Sequence, residues 1–250
     1  MGRRVFPRPA VELTEAKCVK DTIVLTHDAM AEARDARAYL ESQGWRVIVV
    51  PRDIRLWDEA ALSAFAEPLG ETLAGVIHPA PERILGGVAS ASEADWERAA
   101  NEGPMAAWCV TKVFCGLMAR NGGGSMIHLN SIHAEKPVGM GALFSMGCGA
   151  AQMLSREAAQ DYGAFNVHTY FIQKGVSGTD PDGKSPVSNL YYGVDQRYPE
   201  RKLPGAGYLN DLIAFLLTPG AAALNGGDLR ADGGMTLYYV QRQRAEGRPL

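Results

Sequence analysis

The sequence lacks several things, and each absence removes a class of function. No apolar run reaches the length of a membrane-spanning helix. Charge of one sign is not in excess: 25 Lys and Arg stand against 28 Asp and Glu, a formal net charge of −3. Nothing therefore points to nucleic acid or an anionic membrane as a partner. Four cysteines are present, Cys18, Cys109, Cys115 and Cys148, at no metal-ligand spacing. They are read as buried thiols of a cytosolic protein, and no metal site is expected. The opening MGRRVFPRPAVELTEAK has arginines but no apolar core segment. It is not read as a secretory signal, and a cytoplasmic location is expected. Internal repeats and low-complexity tracts are missing too.

What is present is an alternation of short apolar strands and amphipathic helices. The chain has 250 residues, 46% of them hydrophobic, enough for one large domain with a buried core. Residues 1–20 form an extra arm, 21–237 the domain and 238–250 a tail. Strands are expected at 22–26, 46–50, 74–78, 125–130, 167–172 and 226–235. Helices are expected at about 31–43, 57–68, 92–99, 104–120, 144–162 and 208–217. Repeated β-then-α predicts a doubly wound parallel sheet of Rossmann type. Residues 177–203 are polar, rich in Pro and Gly, and carry Tyr191, Tyr192 and Tyr198; these either cover a ligand or pack the loop.

The first strand, turn and helix have the length of a nucleotide-binding βαβ unit without its glycines. Such a turn needs glycine because the backbone must bend sharply and let a pyrophosphate approach the helix N-terminus. Here the three positions hold His27, Ala31 and Ala33. The segment between the second and third strands is also short. A full dinucleotide-binding half places a helix, a strand and another helix there; about one helix fits. The adenosine-binding half is therefore expected to be truncated.

Several marks carry a family resemblance across residues 22–237. The spacing from Thr26 to Gly44 is kept, Trp96 precedes the long helix ending TKVFCGLM (111–118), and GGGSMIHLNS (122–131) and ADGG (232–235) follow. The chain resembles the short-chain dehydrogenase/reductases. That resemblance implies a Rossmann-like fold and places the family's functional positions on this sequence. The catalytic serine falls on Ser131. The catalytic tyrosine falls on Phe144, the lysine one turn later on Cys148, and the structural asparagine on Gly103, with Asn101 two places out of register. The ribose-gripping acid becomes Pro51, and the N-N-A-G turn becomes His78-Pro79-Ala80-Pro81. In the later P-G motif Lys174 replaces proline and Gly175 stays.

These losses bear on one cofactor and one reaction. The family transfers a hydride while the tyrosine hydroxyl moves a proton and the lysine lowers its pKa. Phe144 keeps the ring and loses the proton; Cys148 has neither the charge nor the reach of lysine. Added methyls at Ala31 and Ala33 stand where backbone would meet phosphate. No catalytic residue, cofactor-binding residue or cofactor is therefore expected in this chain, with NAD expected in a partner subunit. In the family the helices matching 104–120 and 144–162 form the main subunit interface. Met105, Trp108 and Met118 on the first fit core or interface equally, and Gly147, Gly149, Ala150 and Ala151 on the second would let another helix approach closely. The expected partner is a homologous active subunit in a hetero-oligomer, a tetramer by these helices. The same combination of losses resembles the inactive subunits of heteromeric dehydrogenases, as in the oxidation of an aromatic hydroxyacyl-CoA thioester in anaerobic toluene degradation.

Other readings stay open. Ser131, His133 and Lys136 are together the residues on which a cofactor-independent lyase or cyclase would depend. Alternatively, Ser131 bonds local backbone and the other two are solvated or meet a neighbouring subunit. His27 and His78 fall at C-terminal strand ends, where this fold binds ligands; they either fill the vacated cleft or hold a metal, though no carboxylate or cysteine stands at matching spacing. A ligand-binding module is the third class, with no positive feature in its favour.

Overall fold

The structure, a computed structural model, describes residues 20–84, 86–137, 139–177, 197–200 and 202–237. The arm up to residue 19, Cys18, Tyr191, Tyr192 and the tail from 238 lie outside the described residues. Six strands form one parallel sheet in the order β2-β1-β3-β4-β5-β6. They are β1 (Thr22–Leu25), β2 (Arg46–Val49), β3 (Leu73–Pro79), β4 (Gly124–Ser131), β5 (Val167–Lys174) and β6 (Gly227–Ala231). The helices are α1 (Ala31–Ser42), α2 (Glu59–Ala66), α3 (Glu93–Ala100), α4 (Ala106–Arg120), α5 (Ala142–Tyr162) and α6 (Asn210–Leu216). This is the doubly wound α/β architecture that the alternation predicts.

Alternation along each strand feeds two cores, one on either face of the sheet. Ile23 and Leu25 of β1, Ile77 of β3 and Ile172 of β5 pack with Ala33, Ala36 and Leu40 of α1 and Ile213 and Leu216 of α6. Val24, Val76 and Met126 point the other way, onto Leu62 of α2 and Val110, Phe114 and Met118 of α4. Fully burying a side chain of this size stabilises by about 1.5–3 kcal/mol, so the two layers fix which face each helix covers.

Local signals set the helix ends. Asp58 caps α2 by accepting from the Ala61 N–H at 3.1 Å. Ser92 and Asp95 form a reciprocal capping box at the start of α3. Gly44 adopts φ 90°, which lets the chain leave α1 and turn into β2. Between β2 and β3 the chain has room for α2 and a single 3₁₀ turn, Glu67–Leu69. The shortened half read from the sequence is therefore real, and β2 becomes an edge strand.

The structure corrects three expected boundaries. The helix expected from 104 starts at Ala106, after a π turn over Asn101–Met105 that carries Pro104 and joins α3 to α4. Proline has no N–H to donate, and the wide turn absorbs the missing bond. The strand expected over 226–235 ends at Ala231. There Asp232 takes over: its carboxylate accepts from the Gly234 N–H at 3.0 Å and the Thr236 N–H at 2.9 Å, curling the chain. Finally, β5 runs on to Lys174, two residues past its expected end.

Candidate functional site

In this fold ligands bind beyond the C-terminal ends of the strands, at the point where strand order reverses. Here that point lies between β1 and β3, and the loops after β1, β3, β4 and β5 surround it. The first turn is built without left-handed backbone: among the described residues the positive-φ non-glycine is Asn166 alone, so His27, Ala31 and Ala33 all sit at ordinary φ. Ala33 is fully buried in the α1-side core. His27 turns inward, its Nε2 3.1 Å from the Pro79 carbonyl oxygen. Pro51 is exposed, and its carbonyl accepts from the Ile54 N–H at 3.1 Å to open a turn.

The centre of the cleft holds an ion pair. Glu32, in the first turn of α1, is buried, its side chain only 4% exposed. The Lys174 ammonium donates to Glu32 Oε1 at 2.8 Å and to the Gly175 carbonyl at 3.2 Å. The Ser177 hydroxyl donates to the same carboxylate oxygen. Burial alone would raise the Glu32 carboxyl. The ammonium charge and the hydrogen bonds from Lys174 and Ser177 outweigh it and hold the group below the usual carboxylate range. The helix N-terminus adds its own positive potential. An internal carboxylate thus stands where the family resemblance puts a phosphate.

Nearby, Tyr198 is buried in a small apolar cluster with Ile132, Val176, Leu203 and Met235. Its hydroxyl donates to the Val176 carbonyl. A side chain on Gly175 would come within 2.6 Å of that hydroxyl and 3.0 Å of Asp232 Cα, so glycine is required by packing alone. Of the three tyrosines singled out in the sequence, the described one packs the loop.

The positions that the family resemblance assigns to catalysis hold Ser131, Phe144, Cys148 and Gly103. Ser131 ends β4 beside Lys174 of β5 in register. Its hydroxyl accepts from the His133 backbone N–H at 3.3 Å, the local capping role weighed for it in the sequence. The His133 Nδ1 lies 2.8 Å from the Lys136 carbonyl, so these residues meet through backbone, and the Lys136 side chain is exposed. Burial lowers the His133 imidazole below its usual value, and Arg83 and Lys174 lower it further against the opposing pull of the Lys136 carbonyl. The Phe144 ring meets His133 edge-on at 6.0 Å. Cys148 is buried, and burial pushes its thiol up to about 12, an inert thiol at neutral pH. Gly103 faces Gly147 of α5: a Cβ built on it would stand 3.9 Å from the Gly147 Cα.

A pocket of about 240 Å³ remains on the β2 side, lined by His27, Leu56, Trp57, Pro81, Glu82 and Glu102 among others. That is below the roughly 300 Å³ at which small-molecule sites begin. Among the described residues no three His, Cys, Asp or Glu side chains are placed to hold a metal ion. None of the helices described is long and apolar enough to cross a membrane.

Sequence reasoning missed two features. The Glu32–Lys174 pair joins residues 142 apart, which no local pattern reveals; its one trace is a glutamate at a core-facing position of α1. The third histidine, His128, is a polar residue flanked by Ile127 and Leu129 within SMIHLN.

The comparisons agree with this architecture. A family model described as Enoyl-(Acyl carrier protein) reductase matches residues 19–236. The chain belongs to the short-chain dehydrogenase/reductase family. An uncharacterized short-chain type dehydrogenase/reductase of Sinorhizobium fredii is 24% identical over 59% of this chain and 59% of its own length. A tropinone reductase homolog of Arabidopsis thaliana is 27% identical over 48% of this chain and 47% of its own length. The chain thus spans about half the length of the curated relatives it matches. Among solved structures, ElxO with NADP bound has a TM-score of 0.79 at 14% identity, covering 88% of this chain and all (100%) of that one. A short-chain type dehydrogenase/reductase from Mycobacterium ulcerans has a TM-score of 0.77 at 20% identity, covering 89% and 92%. At these identities the likeness shows the fold alone.

Proposed function

We propose that this chain is a non-catalytic subunit that assembles with a catalytically complete, NAD-dependent homologue and supports it. The observation that carries the reading is the Glu32–Lys174–Ser177 cluster at the α1 N-terminus. The pair is neutral overall, and its carboxylate already occupies the first turn of the helix whose N-terminus the fold would otherwise offer to a pyrophosphate. Glu82 and Glu102 put negative charge around the remaining pocket. These residues do not fit a nicotinamide dinucleotide. Phe144 and Cys148 leave no hydroxyl and ammonium for the family's proton step.

The surface supports the second half of the reading. Trp108 and Met105 of the α3–α4 segment are 43% and 44% exposed, and Met146 and Met153 of α5 are 54% and 52% exposed. Residues 105 and 108, and 146, 150 and 153, share one face of their helices at i, i+3, i+4 and i+7 spacing. Exposed aromatic and methionine side chains of this kind suit a subunit interface. The substrate of the complex is placed, by the pattern of losses alone, among aromatic hydroxyacyl-CoA thioesters such as hydroxy(phenyl)methyl-succinyl-CoA in toluene degradation.

Two measurements test the proposal. Calorimetric titration of the isolated chain with NAD and with NADP should give no binding, and native mass spectrometry of the protein from its own host should find it in fixed ratio with an intact homologue. Micromolar cofactor binding, or a homo-oligomer that turns over substrate alone, would sink it.

A further inference from the structure

Three imidazoles run side by side across the middle of the sheet. His78 of β3 and His128 of β4 are direct register partners, their rings edge-on at 5.8 Å. His27, just past β1, meets His78 edge-on at 6.3 Å. His78 and His128 are buried, and His128 is fully so. Polar partners are few. Thr26 Oγ1 is 2.8 Å from His78 Nδ1, and Thr111 Oγ1 of α4 is 3.3 Å from His128 Nε2. The Thr111 hydroxyl also donates to the Ala107 carbonyl at 2.7 Å, so it receives, rather than gives, the His128 proton. The buried Nδ1 atoms of His27 and His128 have no hydrogen-bond partner in the structure.

We propose that the His27–His78–His128 row is a pH-sensitive latch, which holds the central strands together only while its rings are neutral. A charge on either inner ring, His78 or His128, would be buried beside another imidazole and away from water, and two charges would face one another across about 6 Å. Facing the row from β1 are Thr26 and His27, from β3 His78, from β4 His128 and from α4 Thr111. Asp28, itself 3.5 Å from the Arg52 guanidinium, favours a charge on His27, and Glu82 and Glu102 line the pocket beside that ring. These groups stand at the open end of the row and do not compensate the two inner rings. Burial pushes His128 down to about 4, and burial together with its two neighbours holds His78 well below the ordinary 6.5. The inner rings thus refuse protons that the unfolded chain accepts.

The sign follows from that difference. Stability is full above the unfolded value near 6.5 and falls as pH drops toward the folded value. Each inner histidine should raise the unfolding constant by about tenfold per pH unit in that window. Between pH 6 and 5, before most carboxylates titrate, the two together should raise it on the order of fifty- to a hundred-fold. The experiment is urea unfolding of the full chain at pH steps from 7 to 5, for wild type, His78→Asn and His128→Asn. Each substitution should remove about tenfold of that rise. In parallel, imidazole carbon and proton shifts of the folded wild type are followed over the same range; two rings should stay neutral at pH 5. A ring at 78 or 128 that titrates near its ordinary value in the folded protein would overturn the latch. So would variants whose stability falls with pH as steeply as wild type. The spectra of the wild type decide the matter even if both variants fail to fold.

Discussion

At the C-terminal ends of β1 and β5 this chain has turned inward, while the outer face of α4 and α5 has stayed open. The cleft side buries a carboxylate against an ammonium, and Tyr198 bonds the Val176 carbonyl nearby. The helix side leaves Trp108 and Met153 half exposed, with the Lys112 ammonium 4.8 Å above the Trp108 ring. The same fold thus carries a surface that satisfies itself and a surface that does not. In a monomer the second would be a liability; in an assembly it is where a neighbour belongs. The two regions teach that one fold can pair charges at one end and leave apolar side chains exposed at another, on different sets of side chains.

The comparison breaks most clearly at the ion pair. Lys174→Met leaves the Glu32 carboxylate buried without its cation and should destabilise by about 3–5 kcal/mol in urea unfolding at pH 7. Adding Glu32→Gln should recover most of that loss; no recovery would mean that the pair is not the coupled unit described. The pair also sets an acid limit. Its carboxyl lies below the ordinary 4.5 when folded, so its stabilisation is present above that value and is lost as pH falls through it. The double variant should lose less stability than wild type below pH 5.

Next in size is the helix face, where the effect should appear in assembly and not in folding. Trp108→Ala with Met153→Glu should change the unfolding free energy of the isolated chain by no more than about 0.5–1 kcal/mol, as exposed substitutions do. Its co-purification with a homologue should fall at least tenfold. Equal co-purification would remove this face from the interface. Smaller still is Phe144→Tyr, which restores a hydroxyl beside His133 but no cofactor. It should cost under about 1 kcal/mol and give no cofactor reduction with any alcohol. Measurable turnover would mean that the cleft is more open than its ion pair implies. The smallest effect belongs to Ser131→Ala, which removes one long hydrogen bond of 3.3 Å to the His133 N–H and should cost about 0.5 kcal/mol by thermal unfolding.

Much of this was legible before any coordinates. The runs TIVLT and RVIVV flanking an alanine-rich helix announce β1, α1 and β2, because strand and helix periods differ and Gly44 punctuates them. Counting residues between β2 and β3 was enough to see that a strand had no room. Phe144, Cys148 and Gly103 were reached only through the family resemblance, and the structure places Cys148 and Phe144 on α5 and Gly103 in the π turn before α4. What escaped was contact at long range. Lys174 was visible as a replaced proline, but its partner lies on α1, and sheet topology alone brings them together. The histidine row needed the β3–β4 register, which pairs His78 with His128. The π turn needed Pro104 to be seen inside a helix and not at its start.

The ion pair also dates the closure of the domain. Glu32 emerges early in synthesis, and its ammonium partner follows 142 residues later. Until β5 docks beside β4, the first βαβ unit carries a carboxylate that wants water and cannot be sealed. The first βαβ unit, about the opening fifth of the chain, therefore cannot bury this carboxylate against its cation until β5 has been made. A feature that looks like a stopper in the finished molecule acts, during its making, as a clasp between the first helix and a strand made much later.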